Sequence, residues 1–142
     1  MIHASPSTPA SSSSLSVTEI AAAAKHPERI AGLHFFNPVP LMRVVEIVGG
    51  ARTDDAVLDQ LEALVRRSGH SPVRAQDTPG FIVNHAGRAF GTEALRIAGE
   101  SVADFSDIDD ILREASGFKL GPFELLDLTA LDVSHPVMES IY

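Results

Sequence analysis

The hydrophobic period of this sequence changes once, at Asp77-Thr78-Pro79-Gly80, and a chain that switches period must pack in two different ways in succession. Before the switch, short apolar runs stop at prolines or glycines. Ile30 to Phe36 ends at Asn37-Pro38-Val39-Pro40, where two prolines forbid further ladder pairing, and Val44 to Val48 ends at Gly49-Gly50. Both read as strands. A helix precedes them, opened by Ser16 three residues before Glu19 in capping-box spacing and closed by Pro27. A second helix follows them. There Thr53 is the expected cap, Asp54 and Asp55 fill the first turn, Val57, Leu61, Leu64 and Val65 form the apolar face, and Arg66 and Arg67 precede Gly69. With a short strand over Pro72 to Ala75, the order is helix, strand, strand, helix, strand, as at the edge of a parallel sheet in an α/β protein.

After the switch the spacing is helical. Phe81, Ile82, Phe90, Ala94, Leu95 and Ile97 recur at that period up to Gly99. Ser106 with Asp109 is expected to cap another helix, carrying Ile108, Ile111, Leu112 and Ala115, and His135-Pro136 has the form of a further helix start. The fold class is thus α/β followed by all-α, with 15–78 in the sheet-bearing part and 79–142 in a truncated helical part. Residues 1–14, mostly Ser, Pro, Ala and Thr, cannot bury enough apolar surface to offset the entropy of ordering and read as a low-complexity, disordered tail.

Charge narrows the partners. Nineteen acidic against eleven basic side chains leave a formal charge of −8, which argues against a nucleic-acid or anionic-membrane surface. No apolar run reaches the roughly 18–20 residues that span a bilayer. With no cysteine there is no disulfide framework, thiolate metal site or thiol nucleophile, and a reducing cytoplasm is the expected setting. The six histidines show no HExxH spacing and no second ligand at i+4, so no metal site is expected.

Two residues stand out against this background. His34 falls near the end of an apolar strand beside the Asn37-Pro38 turn, where a side chain can face a crevice at strand ends or be an ordinary core histidine. Glu46 interrupts the run from Val44 to Val48. A carboxylate there either faces solvent on an edge strand or is buried and paired, and twelve residues suffice for the chain to turn and bring it beside His34. So paired, the carboxylate would fix the imidazole tautomer and leave proton acceptance to the other ring nitrogen, a general-base dyad. Asn84, after the apolar Phe81 to Val83, could cap a helix or offer its amide to a ligand, and the serines 11–14 could be solvated tail or a donor cluster at a helix entry.

The segments Gly32-Leu33-His34-Phe35-Phe36-Asn37-Pro38-Val39-Pro40, Val44-Val45-Glu46, Asp77-Thr78-Pro79-Gly80-Phe81-Ile82-Val83-Asn84 and Gly121-Pro122-Phe123-Glu124-Leu125-Leu126-Asp127-Leu128 together resemble the 3-hydroxyacyl-CoA dehydrogenase family, from about Ser11 to Asp132. The resemblance implies the C-terminal flank of a Rossmann-type NAD-binding sheet followed by the start of a helical dimerisation and substrate domain. It implies His34 as catalytic base, Glu46 as the carboxylate that orients it, Asn84 and Ser13 at the substrate, and Asn37 at the cofactor. NAD is the implied cofactor, an acyl-CoA the substrate, a homo-oligomer through the helical domain the assembly, and β-oxidation the type of chemistry.

The sequence departs from the family in three places. Ser11 stands where the family's Asn-Thr-Ser-Ser segment begins with asparagine, and His85 stands where arginine is usual. The GxGxxG turn for the dinucleotide pyrophosphate does not occur, so most of the cofactor domain is expected to be missing. Two functions follow as expectations: oxidation of a 3-hydroxyacyl-CoA to the 3-ketoacyl-CoA, or a noncatalytic fragment that binds acyl-CoA or associates through its helices.

Overall fold

A computed structural model describes residues 15–130 and His135. The expected tail over 1–14 and the helix start at Pro136 lie outside the described residues. The described residues divide into two compact units, with the boundary between Pro79 and Gly80.

In the first unit, α1 (Val17–Ala22) begins where the Ser16 hydroxyl accepts from the Glu19 N–H at 3.2 Å. A 3₁₀ turn over Pro27–Arg29, with proline in its first position, leads into β1 (Ala31–Phe35). β2 (Val44–Gly49) runs antiparallel to β1, and α2 (Asp55–Arg67) crosses over to β3 (Ser71–Gln76), which runs parallel to β2. The order β1-β2-β3 makes β2 the central strand. The expected parallel edge is therefore correct for β2 and β3 only. The short connection 36–43, turned by the Leu41 and Met42 N–H groups donating to the Pro38 carbonyl, reverses the chain and makes β1 antiparallel.

Alternation along β2 divides its side chains between two helices. Val45 and Ile47, fully buried, face α2 and pack with Val65, Leu33, Leu58 and Leu61. Burying each such side chain is worth about 1.5–3 kcal/mol. Val48 faces the other way, toward α1. There a Cβ on Gly32 would lie 2.9 Å from Val17 Cγ2 and 3.4 Å from Val48 Cβ, so the helix rests on the sheet only because residue 32 has no side chain.

Two sequence expectations for α2 change. Its N-cap is Asp54, whereas the Thr53 hydroxyl donates to the Ile30 carbonyl at 2.6 Å and accepts from the Gly50 N–H at 2.9 Å, tying the entrance of β1 to the exit of β2. Leu64 is 46% exposed, and Leu58 takes its place against the sheet.

The second unit holds α3 (Val83–Gly99), α4 (Phe105–Ser116) and α5 (Pro122–Thr129), with α5 packed against both others. Ring pairs Phe90–Phe118 and Phe105–Phe123, at 4.5 and 4.6 Å between centroids, join the elements. The cap of α4 is Asp104 and not Ser106. Asp109, expected to complete that cap, is buried and turned toward α5, where its carboxylate accepts from the Phe123 N–H at 2.9 Å and the Glu124 N–H at 3.1 Å. A helix start has N–H groups with no intrahelical acceptor, and a neighbouring helix supplies the acceptor here.

Candidate active site

Glu46 sits inside a β-branched run because period two places it on the opposite face from Val45 and Ile47. In the β1–β2 register it stands directly across from His34, and on that face its neighbour along β2 is Val48, beneath α1. The two side chains meet: His34 Nδ1 and Glu46 Oε2 are 2.6 Å apart, with side-chain exposures of 13% and 3%. A carboxylate only accepts, so the Nδ1–H donates and the neutral ring presents Nε2 as its basic nitrogen. Phe36 packs edge-on against the imidazole, 4.9 Å between centroids. The edge-strand alternative for Glu46 is thus replaced by a buried, paired carboxylate on the central strand.

The other sequence candidates fall elsewhere. Asn37 is exposed in the bend after β1, joined to Pro38 by a cis peptide bond. Asn84 is half-buried in the first turn of α3 in the second unit, where its own N–H donates to the Gly80 carbonyl; the N-cap is Ile82, so Asn84 does not cap the helix. His85 beside it is exposed. Ser13 lies outside the described residues. Among the described residues no group of three or more His, Asp or Glu is placed to hold a metal ion, and no helix is long and apolar enough to cross a membrane.

Among the described residues, neither the start of α1 nor that of α2 is shaped to receive the pyrophosphate of a dinucleotide. A pyrophosphate takes a helix N-terminus reached through a glycine-rich turn. The start of α1 is filled by the carboxylate of Asp77, and α2 opens with Asp54 and Asp55. In the sequence Asp77 marks the boundary and opens one of the family-like segments, with no role of its own assigned. Burial works to raise its carboxyl, but hydrogen bonds from the Thr18 side chain and from the Thr18 and Val17 N–H groups and the Ser16 hydroxyl outweigh this and hold it below the usual carboxylate range.

Residues 7–78 match the family described as 3-hydroxyacyl-CoA dehydrogenase, NAD binding domain, and residues 80–142 match the C-terminal domain of the same enzymes. A 3-hydroxyadipyl-CoA dehydrogenase of Escherichia coli is 49% identical over 130 residues, 92% of this chain and 27% of that protein. The mitochondrial hydroxyacyl-coenzyme A dehydrogenase of Sus scrofa is 42% identical over 127 residues, 89% of this chain and 40% of that protein. The crystal structure of an (S)-3-hydroxybutyryl-CoA dehydrogenase from Ralstonia eutropha superimposes with a TM-score of 0.90 at 37% identity, covering 92% of this chain and 46% of that one. The chain therefore spans less than half the length of these relatives.

Proposed function

The chain belongs to the 3-hydroxyacyl-CoA dehydrogenase family, and on that premise we propose that His34 and Glu46 are the proton-handling pair in oxidation of a 3-hydroxyacyl-CoA to the 3-ketoacyl-CoA. The observation that carries this reading is the 2.6 Å contact between a buried carboxylate and a histidine across two strands. His34 Nε2 takes the hydroxyl proton as C3 is oxidised, and Glu46, bonded to Nδ1–H, stabilises the imidazolium that forms. In the reverse direction the imidazolium returns that proton to the carbonyl oxygen. NAD, the cofactor that the family of residues 7–78 implies, would supply the hydride acceptor when bound.

By the same family correspondence Asn84 and Ser13 contact the substrate and Asn37 lies at the cofactor. We place the chemistry in β-oxidation of fatty acids, the assembly as a homo-oligomer through the helical unit, and the location in the cytoplasm, the last on composition alone.

A second reading is a noncatalytic module that binds acyl-CoA or associates through its helices, and it is supported by the lack of a GxGxxG turn in residues 1–142. NADH oxidation by the purified chain with acetoacetyl-CoA separates the two, with His34→Gln as control. Turnover that falls about 10²-fold or more in the variant supports the enzyme. Turnover equal in both would remove His34 as the base, and no turnover from a folded chain favours the module.

A further inference from the structure

Asp77 follows the last residue of β3 and is held in a tight turn by the Thr78 N–H donating to the Gln76 carbonyl at 2.9 Å. Its carboxylate reaches across the unit to the start of α1. Oδ1 accepts from the Val17 N–H at 2.9 Å, and Oδ2 accepts from the Thr18 N–H at 2.7 Å and the Ser16 hydroxyl at 2.9 Å. Together these donors on one carboxylate hold the helix start in place. None of this belongs to the proton-handling pair, yet it bears on it through geometry.

Val17, whose N–H is bound by Asp77, is the residue whose Cγ2 rests over Gly32 and Val48. Gly32 is two residues before His34, and Val48 two residues after Glu46, so all four share one face of the sheet. The position of α1 thus sets the wall beside the pair.

We propose that Asp77 is a positioning residue for the reaction, holding α1 against the sheet so that the His34–Glu46 pair keeps its working geometry. The proposal rests on the dehydrogenase reading above for its chemical consequence. A misplacement on the order of 1 Å from a site distant from the chemistry costs about 10²-fold in rate, which sets the expected scale. The fold itself should survive loss of Asp77, because the Thr18 hydroxyl also accepts from the Ala51 N–H at 2.9 Å and keeps α1 attached.

The test uses the whole 142-residue chain with Asp77→Ala, and Asp77→Asn as the variant that keeps size and one acceptor should alanine not fold. In Asp77→Ala the Val17 and Thr18 amides should exchange with solvent about tenfold faster or more, while those of Val45 and Ile47 keep their protection. The ring resonances of His34, assigned by their absence in His34→Gln, should move. In acetoacetyl-CoA reduction kcat should fall about tenfold or more with KM within about twofold. Asp77→Asn should fall between wild type and alanine in each readout. Faster exchange at Val17 and Thr18 with an unmoved His34 ring and unchanged kcat would make Asp77 a cap of the fold alone and overturn the proposal. So would unchanged exchange. If His34→Gln turns over normally, or the chain shows no turnover, it is the dehydrogenase reading that fails, and Asp77 is then decided by exchange and by the His34 ring.

Discussion

Glu46 is a charged group at 2% exposure, and a carboxylate in that setting must be matched by a donor at close range. His34 meets the requirement at 2.6 Å. Glu46→Gln keeps the length and an oxygen acceptor for Nδ1–H but removes the negative charge opposite the imidazolium. We expect kcat to fall about 10²-fold with little change in KM, the pattern of an interaction strongest in the transition state. Steady-state kinetics in both directions check this, and an equal rise in KM would point to a binding role instead. Glu46→Ala also strips the acceptor from a mostly buried imidazole, so its urea midpoint should correspond to a further loss of about 1–3 kcal/mol. A second residue-scale consequence lies in the helical unit. A Cβ on Gly121 would overlap the Asp109 carboxylate that accepts from Phe123 and Glu124. Gly121→Ala should cost about 1–3 kcal/mol by overpacking, read from the same denaturation, and an unchanged midpoint would mean that the start of α5 shifts without penalty. Glu46 was legible in the sequence as an anomaly in an apolar run. Its partner was legible only as one of two alternatives, because which residue stands opposite depends on a strand register set by the turn over 36–43.

Helix starts show why sequence reading succeeds at some elements and fails at others. The Ser16–Glu19 bond spans three residues, and spacing alone revealed it. The carboxylates that satisfy the starts of α1 and α5 come from Asp77 and Asp109, separated from their donors by about sixty and fifteen positions, and no local rule reaches that far. Thr53 and Ser106 were expected as caps because they carry the right hydroxyl at the right place. Thr53 is instead taken up by the Ile30 carbonyl and the Gly50 N–H, a demand that exists only once β1 and β2 are paired. The Asp77 anchor has a pH consequence. Its carboxyl lies below its ordinary value of 3.8 in the folded chain, so the folded state favours the ionised form more than the unfolded state does. That contribution is fully present above the unfolded value and is lost as the pH falls through the folded one. The urea midpoints of wild type and Asp77→Asn should therefore differ at pH near 7 and converge as the solution is brought well below 3.8. A gap that persists undiminished in acid would assign the anchor's effect to shape and not to charge.

At the scale of the whole chain, the period change predicted a sheet-bearing part followed by helices, and residues 31–76 and 83–129 carry those elements in that order. The antiparallel setting of β1 was not legible, since strand direction follows from the geometry of the connection and not from the composition of the run. Nor did periodicity separate buried from exposed apolar residues on α2, where Leu64 and Leu58 exchange roles. The exposed apolar set has a consequence of its own. Leu41, Leu128, Val102, Phe105 and Ile111 are each at least 60% exposed, and β1 and β3 are each paired along one side among the described residues, which leaves apolar side chains and strand edges that a second copy could cover. Opposing this is the charge of −8, which makes copies of the chain repel one another. Repulsion between exposed charges is screened by salt, whereas apolar burial is not, so the balance should tip with ionic strength. Light scattering should then show an average mass that rises with protein concentration, and rises further between about 20 mM and about 300 mM sodium chloride, where the Debye length shortens severalfold. A monodisperse monomer at both salt levels would mean that these side chains are accommodated within a single copy. Association that weakens with salt would mean instead that charged groups, and not the exposed leucines and phenylalanines, hold the copies together.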